Sequence, residues 1–367
     1  MECCSASTLR PHFTRAAATF DQARPPGGAF LRILAAAVPQ TLRGSQRRPS
    51  LAETSLSGSQ QTPHANKQSR GSPRRFAAER RPRAVVSRRM ATTVKLHPLV
   101  GALMKAPEGY WKGEEKGIPH LLRVMLGTPR SKWLTMPIPA FLVEHPEQGP
   151  VMIDTAFDPI VATDRKQSFG RIGAVIWTPE DVKPVSAQLQ ERGIDPASVK
   201  TVVMTHLHFD HASGIGQFPD AEFVVTGLEW DAASSGGWSD GYIPEQLAPA
   251  KNVQRVDIKA APEAEGFSHV HDVFGDGSIR MAFTPGHTYG HCSILLQTAT
   301  GPLLLCADAA YAIKAIDEHW EPIVVGGDKN DYHDSLRRIE TWKQANPSAT
   351  VICGHDAWNR DALAKSY

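Results

Sequence analysis

The stretch Thr205–Gly214, THLHFDHASG, places three histidines and an aspartate within six residues, and it constrains the fold more than any other segment. The residues before it, SVKTVVMT, form a β-branched apolar run bounded by polar residues. That pattern predicts a buried strand ending where the histidines begin. In extended backbone, residues two apart face the same side, so His206, His208 and Asp210 point one way. His211 turns in as the chain bends at ASG. Neutral imidazoles and a carboxylate converging on one point are a ligand set for a divalent transition metal. The bland alternative is a polar loop whose histidines cap a helix or satisfy buried hydrogen bonds. Four candidate ligands in six residues are crowded for one ion. Two adjacent ions fit better if further ligands lie downstream.

Four other strand ends carry such residues. TPGHTYGH offers His287 and His291, LCADAAY offers Asp308, VICGHD offers His355, and VMIDTAF offers Asp154. At His287, Asp308 and His355 an apolar run leads straight into the polar residue, with Gly or Ala close by. Small residues let backbone approach an ion unobstructed. Taken singly, each is equally well a satisfied polar residue at a strand end; taken with the histidine motif, they read as ligands. His291 reads better as a hydrogen-bonded brace for its loop than as a ligand. Asp154 reads as a brace for a ligand imidazole or for backbone.

Charge divides the chain. The formal net charge of +2 sums two unlike parts. Residues 1–89 hold 15 Arg and 1 Lys against 4 acidic residues, a net of +12, which leaves the remainder at −10. The first segment is rich in Arg, Ser, Gln and Pro without sustained periodicity, the composition of disordered chain. Its apolar stretch AFLRILAAAV is too short to span a membrane and poor as a secretory signal core. Three readings stay open: an organellar transit peptide, a basic arm for nucleic acid, or translation that properly starts at Met90. The last is preferred. Residues 90–367 then form the folded domain. Their acidity argues against nucleic acid as a partner. Cys292, Cys306 and Cys353 sit in or beside apolar runs, with no C-x-x-C, so buried free thiols in a reducing, cytoplasmic setting are expected.

The element order predicts layers. MPIPAFLVEH and PVMIDTAF read as strands joined by the turn PEQG. A helix is expected over PEDVKPVSAQLQERG, opened at Pro179 and closed by Gly193. AEFVVTG, IRMAFTPG, CSILLQT, GPLLLCADAA and ATVICGHD read as strands. DYHDSLRRIETWKQAN reads as a helix capped at or near Asp331. The segment DAASSGGWSDGYIPEQLAPAKN reads as a lid or insertion. Strand clusters separated by helices suggest an α/β domain with two sheets inside and helices outside.

Asp154 in IDTAF, HLHFDH, PGHTYGH, CAD and GHD, in this order, resemble the metallo-β-lactamase superfamily across about residues 95–367. The resemblance implies an αββα sandwich with a dinuclear metal site at one edge of its sheets. It implies that His206, His208 and His287 hold one ion, that Asp210, His211 and His355 hold the other, and that Asp308 bridges them. Aspartate at position 308 is unlike the drug-hydrolysing lactamases, and Asp210 after HLHF is unlike the di-iron oxygen reductases. The chain stops twelve residues after His355, which leaves no room for the C-terminal helical domain of the glyoxalase II thioesterases. Tyr311 in DAAY, with PIPAFLVEH and TPGHTYGH, resembles the N-acyl-homoserine lactonases and close relatives.

That resemblance implies a hydrolase for a small lactone or ester, with a thioesterase as the alternative and a non-catalytic metal-binding protein as a remote third. Hydroxide from water shared by two divalent ions would attack the carbonyl. Tyr311 would donate to the developing oxyanion, and Asp210 would pass the proton to the leaving alkoxide. The N/O ligand set suits zinc, but also iron, manganese or cobalt. Tyr110, Trp111, Leu121, Leu122, Trp133, Trp230, Trp238 and Tyr242 could line an acyl pocket, although each alone is better read as core packing or a homodimer contact. The segment from Ala106 to Leu134 maps onto no recognised motif.

Overall fold

The computed structural model describes residues 92–113, 118–323 and 326–367. The segment 1–89, read above as disordered, lies outside them. Among the described residues, eleven strands form two sheets. The first holds β1 (Lys95–Pro107), β2 (Trp133–His145), β3 (Gly149–Ile153), β4 (Thr201–Val203), β5 (Glu222–Thr226) and β6 (Asn252–Val256), side by side in that order. The second holds β7 (Val270–Asp272), β8 (Ile279–Phe283), β9 (Cys292–Thr298), β10 (Gly301–Ala307) and β11 (Thr350–Cys353), again in sequence order. Pairing is antiparallel from β1 to β3 and parallel from β3 to β6. In the second sheet only β10 and β11 run parallel.

Alternating apolar side chains close the space between the sheets. Val151, Ile153, Val203 and Val224 from the first meet Met281, Ile294, Leu305 and Ile352 from the second, all buried. Fully burying one such side chain contributes roughly 1.5–3 kcal/mol. Helices cover the outer faces. Helix Val185–Gln190 sets Val185 and Leu189 against the first sheet. Helix Lys329–Ala345 sets Tyr332, Leu336, Ile339 and Trp342 against the second. The result is the expected helix–sheet–sheet–helix order. Among the described residues no helix is long and apolar enough to cross a membrane.

Several boundaries differ from the sequence expectation. The helix expected from Pro179 begins only after Pro184, because Glu180 pairs in a bridge with Leu103 through backbone bonds of 2.6 and 2.8 Å. It ends at Gln190, and the turn that follows closes at Gly193, in the left-handed region at φ 73°, where Ile194 N–H reaches back to Leu189 C=O at 3.0 Å. The long helix is capped by Asp328, whose carboxylate accepts from Asn330 N at 2.7 Å and Asp331 N at 3.1 Å. Strand β1 carried no clear signal, because KLHPLVGALMKAP breaks its alternation at Gly101. The register against β2 shifts there, and a side chain at Gly101 would collide with Ala156.

The topology brings the ends of β3, β4, β8, β10 and β11 to one edge of the sandwich. Asp154, the HLHFDH loop, His287, Asp308 and His355 follow those ends. Backbone at this edge departs from ordinary strand geometry. Asp154, Ala156 and Ala307 have φ of 56°, 52° and 45°, a region that costs a non-glycine residue energy and persists only where the surroundings fix it.

Candidate metal centre

The residue types at these strand ends converge as side chains. Three groups of potential ligand atoms each lie within 4.8 Å of one another: His206 with His208 and His287; His206 with His211 and Asp308; Asp210 with His211 and His355. All seven residues are buried. His287 Nε2 and His208 Nδ1 are 2.8 Å apart. Asp308 Oδ2 stands 3.3 Å from both His287 Nε2 and His355 Nε2, and 3.8 Å from His206 Nε2. Asp210 Oδ2 is 3.4 Å from His355 Nε2. The edge of a tetrahedron of N/O ligands around zinc is roughly 3.3 Å, from bonds of about 2.0 Å. The spacing of these atoms matches that edge.

Ring orientation is set from behind. Asp154 Oδ1 accepts from Thr205 N at 2.8 Å, and Oδ2 accepts from Thr205 Oγ1 at 2.8 Å and from His211 Nδ1 at 2.9 Å. Because Thr205 gives its proton to Asp154, it accepts from His206 Nδ1, 3.1 Å away. His355 Nδ1 meets the carbonyl of Pro137 at 2.9 Å, and a carbonyl only accepts. In each case Nδ1 carries the proton and the Nε2 lone pair is left to face the site, as ligand histidines require. His291 bonds Thr284 Oγ1 at 3.0 Å through Nδ1 and accepts the Asp308 backbone N–H at 3.1 Å through Nε2. Both its ring nitrogens are occupied, so it braces the loop that carries Asp308.

Electrostatics divide the cluster. Burial, with repulsion from neighbouring imidazoles, holds His206 and His287 well below the usual histidine value. Burial likewise lowers His208 to about 4. These three stay neutral and able to coordinate. For His355 burial is outweighed by Asp308 and Asp210, which push it up to about 10. His211 is pushed well above its usual value by Asp308, Asp210 and Asp154 against the effect of burial. The two carboxylates are depressed in return, against burial, by His211 and His355. In the absence of an ion, protons on His211 and His355 supply the positive charge that these carboxylates demand. A divalent cation supplies the same charge and leaves both rings free as ligands. His206 Nε2, His211 Nε2 and Asp308 Oδ1 are buried without a hydrogen-bond partner, a costly state that a bound ion relieves. The donor set therefore fits a pair of divalent ions. Gly354 is needed for this closeness, since a side chain there would strike Asp308 Oδ1.

Tyr311 lies over the cluster. Its ring stands edge-on to His287 at 5.6 Å and to His355 at 5.1 Å, one residue from each outer group. Burial and the nearby Tyr110, Asp308 and Asp210 hold its phenol far above the usual value, so it keeps its proton. Tyr110 stacks on it at 5.8 Å. Trp111 donates its indole N–H to the His355 carbonyl at 2.9 Å. Of the other aromatic residues considered for a pocket, Trp133 is buried in the core, while Trp230 and Trp238 are partly buried against it. The side chains of Leu121 and Leu122 lie outside the described residues. The segment read as a lid packs down: Gly241 C=O accepts from Phe209 N at 3.1 Å, and a side chain at Gly241 would strike the His208 ring.

One buried carboxylate was not singled out from sequence. Glu229 accepts from Leu207 N at 2.9 Å and Tyr242 Oη at 3.0 Å on one oxygen, and from Thr288 Oγ1 at 2.7 Å and Gly290 N at 3.1 Å on the other. The pattern Thr226-x-x-Glu229 is a helix-capping signature, and Thr226 Oγ1 does accept from Glu229 N at 3.1 Å. That signal marks a helix start and says nothing of where the carboxylate points.

Comparison with known proteins agrees with this geometry. Residues 135–355 match a family model described as the metallo-beta-lactamase superfamily. The chain is 34% identical over 240 residues to N-acyl homoserine lactonase AttM of Azorhizobium caulinodans, covering 63% of this chain and 87% of that one. It is 36% identical over 232 residues to the protein of the same name from Agrobacterium fabrum, covering 61% and 84%. A solved N-acyl homoserine lactone hydrolase, with the product N-hexanoyl-L-homoserine at its catalytic metal centre, superimposes with a TM-score of 0.59 at 21% identity, over 76% of this chain and 100% of that one.

Proposed function

The chain belongs to the metallo-beta-lactamase superfamily, and we propose that it is a dinuclear metal-dependent hydrolase that opens the ring of an N-acyl-homoserine-lactone-like substrate. The observation that carries this reading is the convergence of His206, His208, Asp210, His211, His287, Asp308 and His355 in one buried cluster. Relatives with 34% and 36% identity named as N-acyl homoserine lactonases support the substrate class.

His206, His208 and His287 would hold one ion, Asp210, His211 and His355 the other, and Asp308 would lie between them. Two divalent ions, with zinc the best fit to this donor set, supply Lewis acidity and a water-derived nucleophile at neutral pH. Tyr311, protonated and set across both halves, donates to the oxygen on which charge develops. Asp210 keeps an ionised carboxylate within the cluster and is placed to carry a proton to the leaving alkoxide. Tyr110 and Trp177, 5.9 Å apart, supply apolar surface beside Tyr311 for an acyl chain.

Metal analysis of the purified protein beside a hydrolysis panel tests the proposal. The panel holds short- and long-chain acyl lactones, simple lactones, a glutathione thioester and a β-lactam. Two ions per chain and fastest turnover of acyl lactones are expected. Faster turnover of the thioester would move the assignment to a thioesterase. The domain is proposed to begin at Met90, and a chain starting there is expected to keep its metal content and activity. Loss of either would give residues 1–89 a structural part.

A further inference from the structure

The two halves of the cluster differ in their carboxylates. Asp210 and the shared Asp308 face His211 and His355, whereas His206 and His287 have only Asp308 beside them. Behind the three-histidine half lies Glu229, fully buried, with no Lys or Arg among its hydrogen-bond partners. Each of its oxygens takes one backbone N–H, from Leu207 or Gly290, which can only donate. Each oxygen thus receives two donors, an arrangement that suits an anion although burial raises this carboxyl above the usual carboxylate value. A buried anion of this kind is costly unless positive charge lies near.

Its partners surround one half of the site. Leu207 stands between His206 and His208. Thr288 and Gly290 follow His287. Tyr242 packs its ring on the His208 imidazole with centroids 5.0 Å apart. The helix that carries Glu229 begins at Gly227, and Thr226 ties that start to Gly290 C=O at 2.8 Å. A side chain at Gly290 would collide with the backbone of Glu229, so the two loops are in close contact. Asp154 makes no bond to these residues; it serves His211 directly and His206 through Thr205.

We infer that Glu229 is a positioning residue that clamps the loops of His206, His208 and His287 and compensates the charge of the ion they hold. This rests on the two-ion reading above. The carboxylate touches neither substrate nor metal; it acts through the backbone of both loops and through Tyr242. Replacing it with glutamine removes the charge and turns an amide N–H2 toward Leu207 N–H or Gly290 N–H, a donor facing a donor.

The test measures metal release, not activity alone. Parent and Glu229→Gln are loaded with cobalt(II), and their ions are withdrawn with a chelator. The paramagnetically shifted imidazole N–H signals report each half, assigned with His287→Ala and His355→Ala. Glu229→Gln is expected to release the three-histidine ion about 10-fold faster or more, with the His211 and His355 signals kept. Thr288→Val removes one donor and keeps the charge and the backbone clamp, so it covers the case in which Glu229→Gln fails to fold. Its expected effect is a roughly 3-fold faster loss of the same ion, the scale of one hydrogen bond. A parent that binds fewer than two ions refutes the dinuclear reading itself. With a two-ion parent, release of both ions in step, or of neither faster, overturns the role given to Glu229.

Discussion

The proposed metal ligands and the aromatic wall beside them reach the same site by different routes. His206, His208, Asp210 and His211 arrive together in one loop after β4, and His287, Asp308 and His355 each follow a strand end within the next 144 residues of chain. His206, His211 and His355 are each fixed by a hydrogen bond from behind, to Thr205, Asp154 and the Pro137 carbonyl. Tyr110 and Trp111 instead come from the end of β1, and Trp111 meets the His355 carbonyl across 244 positions of sequence. They are held by packing on Tyr311, Trp177 and Trp358. The ligand floor thus depends on hydrogen-bond geometry at strand ends, the wall on long-range contacts between large rings. Damage to the floor should remove metal and chemistry together. Damage to the wall should leave the metals and alter turnover or stability.

The largest effect is expected from His211→Ala. It removes a ring within reach of Asp308, 3.3 Å away, and takes a partner from Asp154. Remaining ligands cannot complete that coordination shell, and metal binding is coupled to folding at such a site. Metal content should fall below two ions per chain, and kcat should drop by about 1000-fold or more. Elemental analysis and lactone hydrolysis on one preparation check this. Full turnover after loss of an ion would remove the dinuclear mechanism.

This contrast also explains what the sequence makes legible. HLHFDH, TPGH, CAD and GHD are local patterns, because a short strand ending in a polar residue aims it without help from afar. The structure brings together every residue those patterns offered as a ligand, and it places Asp154 and His291 as the braces their settings suggested. Layer order was legible for the same reason, since the core strands are continuous apolar runs. Strand β1 was not, because Gly101 breaks its alternation to let Ala156 pass. Nor was the helix start at Pro184, which a bridge between Leu103 and Glu180 decides. Glu229 carried a signal for a local capping role, while its carboxylate works across 59 to 61 positions, at Thr288 and Gly290. Local patterns specify local geometry, and long-range polar contacts leave no spacing to read.

A brace should matter less than a ligand. Asp154→Asn keeps the volume but offers one acceptor oxygen where Thr205 N, Thr205 Oγ1 and His211 Nδ1 need two. Metal affinity should fall by about 10–100-fold, the usual scale for losing such a partner. Competition with a chelator of known strength measures it. An affinity equal to the parent's would reduce Asp154 to a support for its own turn.

On the wall, Tyr311→Phe removes one hydroxyl and leaves a ring that still packs on Tyr110. A lone oxyanion donor is worth on the order of 100-fold in rate. In the proposed mechanism a metal would polarise the same oxygen, so kcat should fall by about 10-fold with little change in KM and both ions retained. Unchanged kcat at full metal content would make Tyr311 a packing residue.

The smallest catalytic effect is expected from Trp111→Phe. Trp111 is fully buried, meets Tyr110 and Trp358 edge-on, and donates its only N–H to the His355 carbonyl. Phenylalanine keeps an aromatic face but leaves that carbonyl without its indole donor and opens space beside it. An unmet buried acceptor costs about 1–3 kcal/mol, so thermal or denaturant unfolding should show a loss of that order. The His355 ring is held separately, by Nδ1 on Pro137 C=O, so Nε2 should keep its place and both ions should stay bound. A change in kcat below about 3-fold is then expected, less than half a pKa unit's worth of free energy. If Trp111→Phe instead lost an ion with stability intact, the indole would belong to the floor, and the division between a hydrogen-bonded floor and a packed wall would have to be redrawn at His355.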